Sequence, residues 1–174
     1  MVAIVSPCSP ETLFVPERSN ERAYRDALGS FTTGITVVTA MTDQGPIGMT
    51  VNSFTSVSLE PPLVLWSPAK RSSKHGSFQQ TVHFSIHVLG VEQDYLCQAF
   101  SRGGTGFAGL SWTTSEEGVP TLCDTLARFE CRRSATHDAG DHSLIVGRVL
   151  RVALREGEPL CYSRGMLGRF AGRN

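Results

Sequence analysis

The sequence predicts a mainly β fold, an antiparallel barrel or sandwich with helical insertions. Three observations point there. Short β-branched or alternating runs, about seven of them, recur in hairpin-like pairs. The 17 glycines and 9 prolines supply many turns. The two or three helix-like stretches do not alternate regularly with the strands, as a doubly wound parallel sheet would require. With 174 residues, 40% hydrophobic and 18% charged, the chain suits one domain with a sizeable core and is too apolar for a disordered one.

The elements follow in order. Residues 1–19 carry Ser6-Pro7, Ser9-Pro10 and Val15-Pro16, each biased against helix, and read as an extended or disordered arm ahead of a domain over 20–174. Asn20 is placed to cap a helix whose Ala23, Tyr24, Ala27, Leu28 and Phe31 share one face, with Gly29 or Gly34 at its end. Residues 35–41 are rich in β-branched side chains and predict a strand, 43–46 a turn, and 47–54 its hairpin partner. Gly48 weakens that partner unless another backbone or a ligand comes close. After a turn at 58–62, residues 63–66 read as a buried strand, and 72–80 as a short helix.

Residues 83–89 alternate, with Phe84, Ile86 and Val88 inward and His83 and His87 outward. Val91, Tyr95, Leu96, Ala99 and Phe100 mark a second amphipathic helix. A glycine-rich loop over 102–106 follows. Strands are predicted at 127–132, 143–152 and 160–162, with a turn at 138–141. Cys131 lies in the first of these as a small buried hydrophobe, between outward Glu130 and Arg132.

Several functions are excluded early. Sixteen basic and sixteen acidic side chains leave no footprint for nucleic acid. No window approaches a membrane span, and the N-terminus lacks a signal pattern. The five cysteines are odd in number, widely spaced and free of C-x-x-C, which fits a reducing cytoplasm. His83 and His87 on a strand lack helical metal geometry, no Gly-x-Ser-x-Gly occurs, and no Gly-x-Gly-x-x-Gly follows a predicted strand to open a helix, as a dinucleotide fingerprint requires.

Three segments can carry chemistry. Between Thr50 and Ser58, hydroxyl and amide side chains crowd a single stretch. Together with exposed N–H groups they suit a polar heteroaromatic ring, although a solvated edge strand has the same composition. Ser67-Pro68-Ala69-Lys70-Arg71-Ser72-Ser73-Lys74-His75 sets three cations and its serines before a helix start, which suits a phosphate or a solvated basic loop. Gly140-Asp141-His142 places a histidine beside a carboxylate in a turn.

These segments occur in order with Thr33-Gly34-Ile35-Thr36-Val37-Val38-Thr39 and Phe84-Ser85-Ile86-His87-Val88-Leu89. The ordered set resembles the short-chain flavin reductases, the reductase components of two-component flavin monooxygenases, over about residues 22–170. The resemblance implies a Greek-key split β-barrel, a homodimer, and reduction of FAD or FMN by NADH or NADPH for a separate monooxygenase. It places Thr50, Val51, Asn52 and Ser53 along the isoalloxazine edge. It places Ser67, Ser72, Ser73 and Lys74 near the flavin phosphate, with Arg102 a further basic residue and Phe107 a ring-packing one. It brings Asp141 and His142 to the nicotinamide, His142 as binder and proton donor.

The C-terminal run from Tyr162 to Phe170 only loosely matches the family's aromatic-glycine pattern, with Leu167 where an aromatic is common. Two other readings share the barrel: a flavin- or haem-binding module without turnover, and an oxidase of the pyridoxamine-phosphate type.

Overall fold

A computed structural model describes residues 11–102, 104 and 106–172. A 3-10 turn (Arg18–Asn20) leads into α1 (Glu21–Gly29). There follow β1 (Thr33–Gly34), β2 (Thr36–Thr42), β3 (Gly45–Val51), β4 (Thr55–Leu59), β5 (Pro62–Trp66), α2 (His75–Gln80) and β6 (His83–Val88). A second 3-10 turn (Val91–Gln93) precedes α3 (Asp94–Ala99), β7 (Trp112–Thr114) and β8 (Pro120–Leu122). The chain closes with β9 (Ala127–Ala139), β10 (His142–Leu154), β11 (Leu160–Ser163) and β12 (Met166–Arg169).

Seven strands form one antiparallel sheet in the order β3-β2-β6-β9-β10-β5-β4. Its edge strands, β3 and β4, are neighbours in sequence, joined by residues 52–54 alone. Side chains from β2, β3, β5, β6, β9 and β10 meet in one cluster around Trp66, with Phe54 of the link and Phe78 of α2. A flat sheet cannot bring β3 and β5, at opposite ends of this order, to one cluster. The sheet therefore curls into a barrel split between β3 and β4, and the β2–β6 and β5–β10 pairings make its connections Greek-key rather than simple hairpins. Trp66 meets Phe78 edge-on at 5.0 Å and lies 6.0 Å from Phe84. Burying each such ring stabilises the fold by about 2–3 kcal/mol.

A second cluster packs Ile35, Val37, Leu89, Leu96, Phe100, Leu122 and Leu160 beneath α3. β2 and β6 are thus covered on both faces, which corrects the outward placement of His87: it is fully buried. Its Nε2 accepts the Leu122 N–H (3.1 Å), so Nδ1 carries the proton and donates to the Val37 carbonyl oxygen (3.1 Å). Glu130 is likewise buried, not outward. It pairs with Arg128 at 3.0 Å and with Arg151 at 2.7 Å. Cys131 is buried as expected, and desolvation pushes its thiol up to about 12.

Other expectations shift. Asn20 caps the 3-10 turn instead of α1, accepting the Glu17 N–H at 2.9 Å. α1 buries none of its face; Leu28 and Phe31 stay 56% and 78% exposed. β4 falls in the hydroxyl-rich stretch, for which no separate strand bounds were predicted, and the β7–β8 hairpin and β12 join the predicted strands. Residues 11–17 form no regular structure, and the first ten residues of the expected arm lie outside the described residues.

Candidate functional site

The outer edge of β3 supports the site. Thr50 N–H donates to the Phe100 carbonyl oxygen (3.1 Å) and its hydroxyl to that of Cys97 (2.7 Å), so α3 covers part of this edge. A Cβ on Gly48 would lie 2.4 Å from Phe100 Cδ1. The close approach that this glycine permits is therefore made by an aromatic ring of the same chain. Phe107 stacks edge-on against Phe100 (4.8 Å) and Trp112 (5.4 Å), so its packing partners are also internal.

Past β3 the backbone turns outward. Val51 packs on the barrel core, whereas Asn52 is exposed. Ser53 then locks the link to the end of β5: its Oγ accepts the Ser67 N–H (2.9 Å) and donates to the Ser67 carbonyl oxygen (3.2 Å). The polar stretch from Thr50 to Ser53 and the serine-cation loop, distant in sequence, are thus joined.

Within that loop, Lys74 Nζ donates to the Gly48 carbonyl oxygen (2.7 Å), bridging back to β3. Partial burial pulls its ammonium below the ordinary lysine range. A lysine ammonium has three donors, so two remain. Ser72 Oγ accepts the Lys74 N–H (3.3 Å) and keeps its own proton; Ser73 and Arg71 are exposed. Two of the expected helix-terminus donors are already engaged. α2 is only six residues long, and the N–H groups of Lys74 and His75 are both taken up by Ser72.

The Gly140-Asp141-His142 turn sits against the same loop. Lys70 N–H donates to the Asp141 carbonyl oxygen (2.8 Å) and Ser143 N–H to that of Pro68 (3.1 Å). Ala69 and His142 form an isolated bridge. Ser143 Oγ accepts from Gln79 Nε2 (3.1 Å) and lies 3.0 Å from His75 Nε2. Within the turn, His142 Nδ1 is 2.7 Å from Asp141 Oδ1. That hydrogen bond is the main reason the Asp141 carboxyl lies below the usual range. The ionised acceptor fixes the proton on Nδ1, and among the described residues Nε2 has no hydrogen-bond partner.

Three of the sequence-predicted groups therefore converge: residues 50–53, the loop at 67–74, and Asp141 with His142. Arg102 is exposed beyond the end of α3, and none of the described contacts joins it to them. A groove of about 1130 Å³, lined by Asp26, Ser30 and Arg164 among others, lies elsewhere.

A family model described as a flavin reductase like domain matches residues 28–171. The chain belongs to the flavin reductase family. It is 62% identical over 161 residues to the FMN reductase (NADH) SmoA of Agrobacterium fabrum, covering 92% of each chain. The reductase subunit HsaB of a Rhodococcus jostii flavin-dependent monooxygenase is 40% identical over 151 residues, or 86% of this chain and 77% of that one. Among solved structures, the Streptomyces globisporus NADH:FAD oxidoreductase SgcE6, in complex with NAD and FAD fragments, gives a TM-score of 0.84 at 33% identity, covering 91% and 98% of the two chains.

The donor set suits a flavin. The exposed Asn52 amide and nearby backbone suit a ring edge rich in acceptors. Ser72, Ser73 and the remaining protons of Lys74 suit a phosphate. In this flavin reductase, Arg169 is engaged by Glu158 at 3.3 Å, in the C-terminal hairpin of β11 and β12. The Lys70 contact to the turn was not foreseen, although Asp138 in the predicted turn was a visible partner for a cation.

Proposed function

We propose that the chain is an NADH-dependent flavin reductase that supplies reduced FMN or FAD to a separate monooxygenase. The observation that carries this reading is the convergence of the Asn52–Ser53 link, the Ser72–Lys74 cradle and the His142 turn on one side of the barrel. Bound flavin supplies a ring that accepts two electrons from the nicotinamide. The chain's own groups bind and orient. Asn52 and the adjoining N–H groups lie along the ring edge, and Ser72, Ser73 and Lys74 hold the phosphate. His142, aimed by Asp141, would present Nε2 as an acceptor to the nicotinamide carboxamide N–H, and would donate a proton from Nε2 only in its doubly protonated form. A flavin store without turnover needs no such imidazole.

Crossing FMN and FAD with NADH and NADPH in a steady-state assay tests this reading. Oxidation of the nicotinamide that depends on added flavin is expected, with NADH favoured. No oxidation in any of the four pairings would remove it.

We further read the chain as a homodimer whose domain spans residues 20–174. The pairing of β10 with β5 ends at Arg148, and beyond it Val152 and Leu154 are 57% and 85% exposed. A strand end with apolar side chains and an open edge invites a second copy. Sedimentation velocity is expected to show a dimer at micromolar concentration; a monomer there would contradict it. Among the described residues no helix is long and apolar enough to cross a membrane. The free thiols Cys97, Cys123, Cys131 and Cys161 support placing the enzyme in the cytoplasm.

A further inference from the structure

The cationic run of the loop divides between two tasks. Lys74 reaches β3, whereas Lys70 turns the opposite way, toward the tip of the β9–β10 hairpin. Its Nζ donates to the Gly140 carbonyl oxygen (2.6 Å) and pairs with the Asp138 carboxylate, while its backbone N–H donates to the Asp141 carbonyl oxygen (2.8 Å). Its charge is thereby met within the chain, not held for a phosphate.

The tip needs such a hold. It protrudes from two 13-residue strands, Gly140 takes a left-handed φ of 62°, and the Asp141 side chain is 87% exposed. Among the described residues, the hydrogen bonds to the carbonyl oxygens of Gly140 and Asp141 come from Lys70 alone. An ion pair this exposed contributes little to overall stability. Its use is local: it fixes the two peptide groups immediately before His142.

We propose that Lys70 is a positioning residue, which holds the Gly140-Asp141-His142 turn against the flavin-phosphate loop so that His142 meets the nicotinamide. The proposal rests on the reading of His142 given above. It also links the two ligand sites mechanically, because Lys70 and the phosphate-binding Ser72 lie two residues apart on one loop.

The test compares Lys70→Met, Lys70→Arg, His142→Ala and the double variant K70M/H142A, with FMN and NADH as probes. K70M is expected to raise the KM for NADH about fivefold and to leave the KM for FMN within about twofold. Lys70→Arg, which keeps the charge, restores most of the loss. Because Lys70 acts through His142, K70M adds less than about twofold in the H142A background. Asp138→Asn moves the NADH KM in the same direction by less, and melting temperatures stay near that of the parent. An unchanged NADH KM in K70M, or a full additive loss in the double variant, would overturn the proposal. An unchanged NADH KM in H142A would instead overturn the reading of His142, and the proposal with it.

Discussion

Lys74→Met is expected to raise the KM for FMN by about ten- to hundredfold, the loss typical of one charge-assisted hydrogen bond in a partly buried site. Lys74 is the cation of the loop that is both partly buried and tied to β3, through the Gly48 carbonyl oxygen at 2.7 Å. Its remaining protons are directed from a fixed point, so little is lost in ordering the side chain on binding. Riboflavin, which lacks the phosphate, separates the two tasks of this lysine. If Lys74 holds the phosphate, the KM for riboflavin changes by less than about threefold in the variant, because only the contact to Gly48 is lost. Equal losses for FMN and riboflavin would show that the lysine only braces β3. The kcat at saturating FMN is expected to stay near that of the parent, since Lys74 touches no reacting atom.

Acid is expected to destabilise the fold through His87. Burial at the β2–β6–β8 junction depresses its imidazole to about 3, from an ordinary value of 6.5. The folded value lies below the unfolded one, so the unfolded chain takes up the proton first. The stabilisation is complete above the unfolded value and is lost as the pH falls toward the folded one. Between pH 7 and pH 5 the loss is about 2 kcal/mol. Glu92, Glu117 and Asp141, all held below the ordinary carboxylate range, remain ionised in the folded chain over that window and add little to the slope. Urea unfolding at the two pH values measures the effect. His87→Asn is expected to be less stable at pH 7 and to show a flatter dependence. A variant with the slope of the parent would assign the acid sensitivity to other groups.

His87 also shows where sequence reasoning stops. Alternation in 83–89 is real, and Phe84 and Ile86 do enter the barrel core. The opposite face looked solvated because it carries histidines and a serine. It is buried because α3 and the β7–β8 hairpin fold over it, and those contacts come from residues far along the chain. Glu130 misled in the same way: its buried carboxylate is met by Arg151, twenty-one positions away.

The strands with β-branched or alternating runs were legible, and so was the barrel class, since hairpin pairing is local. β4 was given no bounds, because a run of threonine and serine fits a solvated edge strand, a loop and a ligand-binding segment alike. The site was legible as three separate segments. What joins them was not: Ser53 to Ser67, Lys74 to Gly48 and Lys70 to Gly140 are long-range hydrogen bonds, most of them to backbone carbonyls, which leave no trace in residue identity. Gly48 was rightly singled out as a point of close approach, but only the fold shows that Phe100 fills it.

The central claim is that one barrel of this chain brings flavin and nicotinamide together. Anaerobic mixing of the FMN-loaded protein with NADH tests it most directly, followed through the visible absorbance of the oxidised flavin. Rapid bleaching in the parent, slowed in H142A at limiting NADH, is the predicted result. FMN that binds to the folded protein yet keeps its oxidised absorbance with excess NADH would contradict the claim.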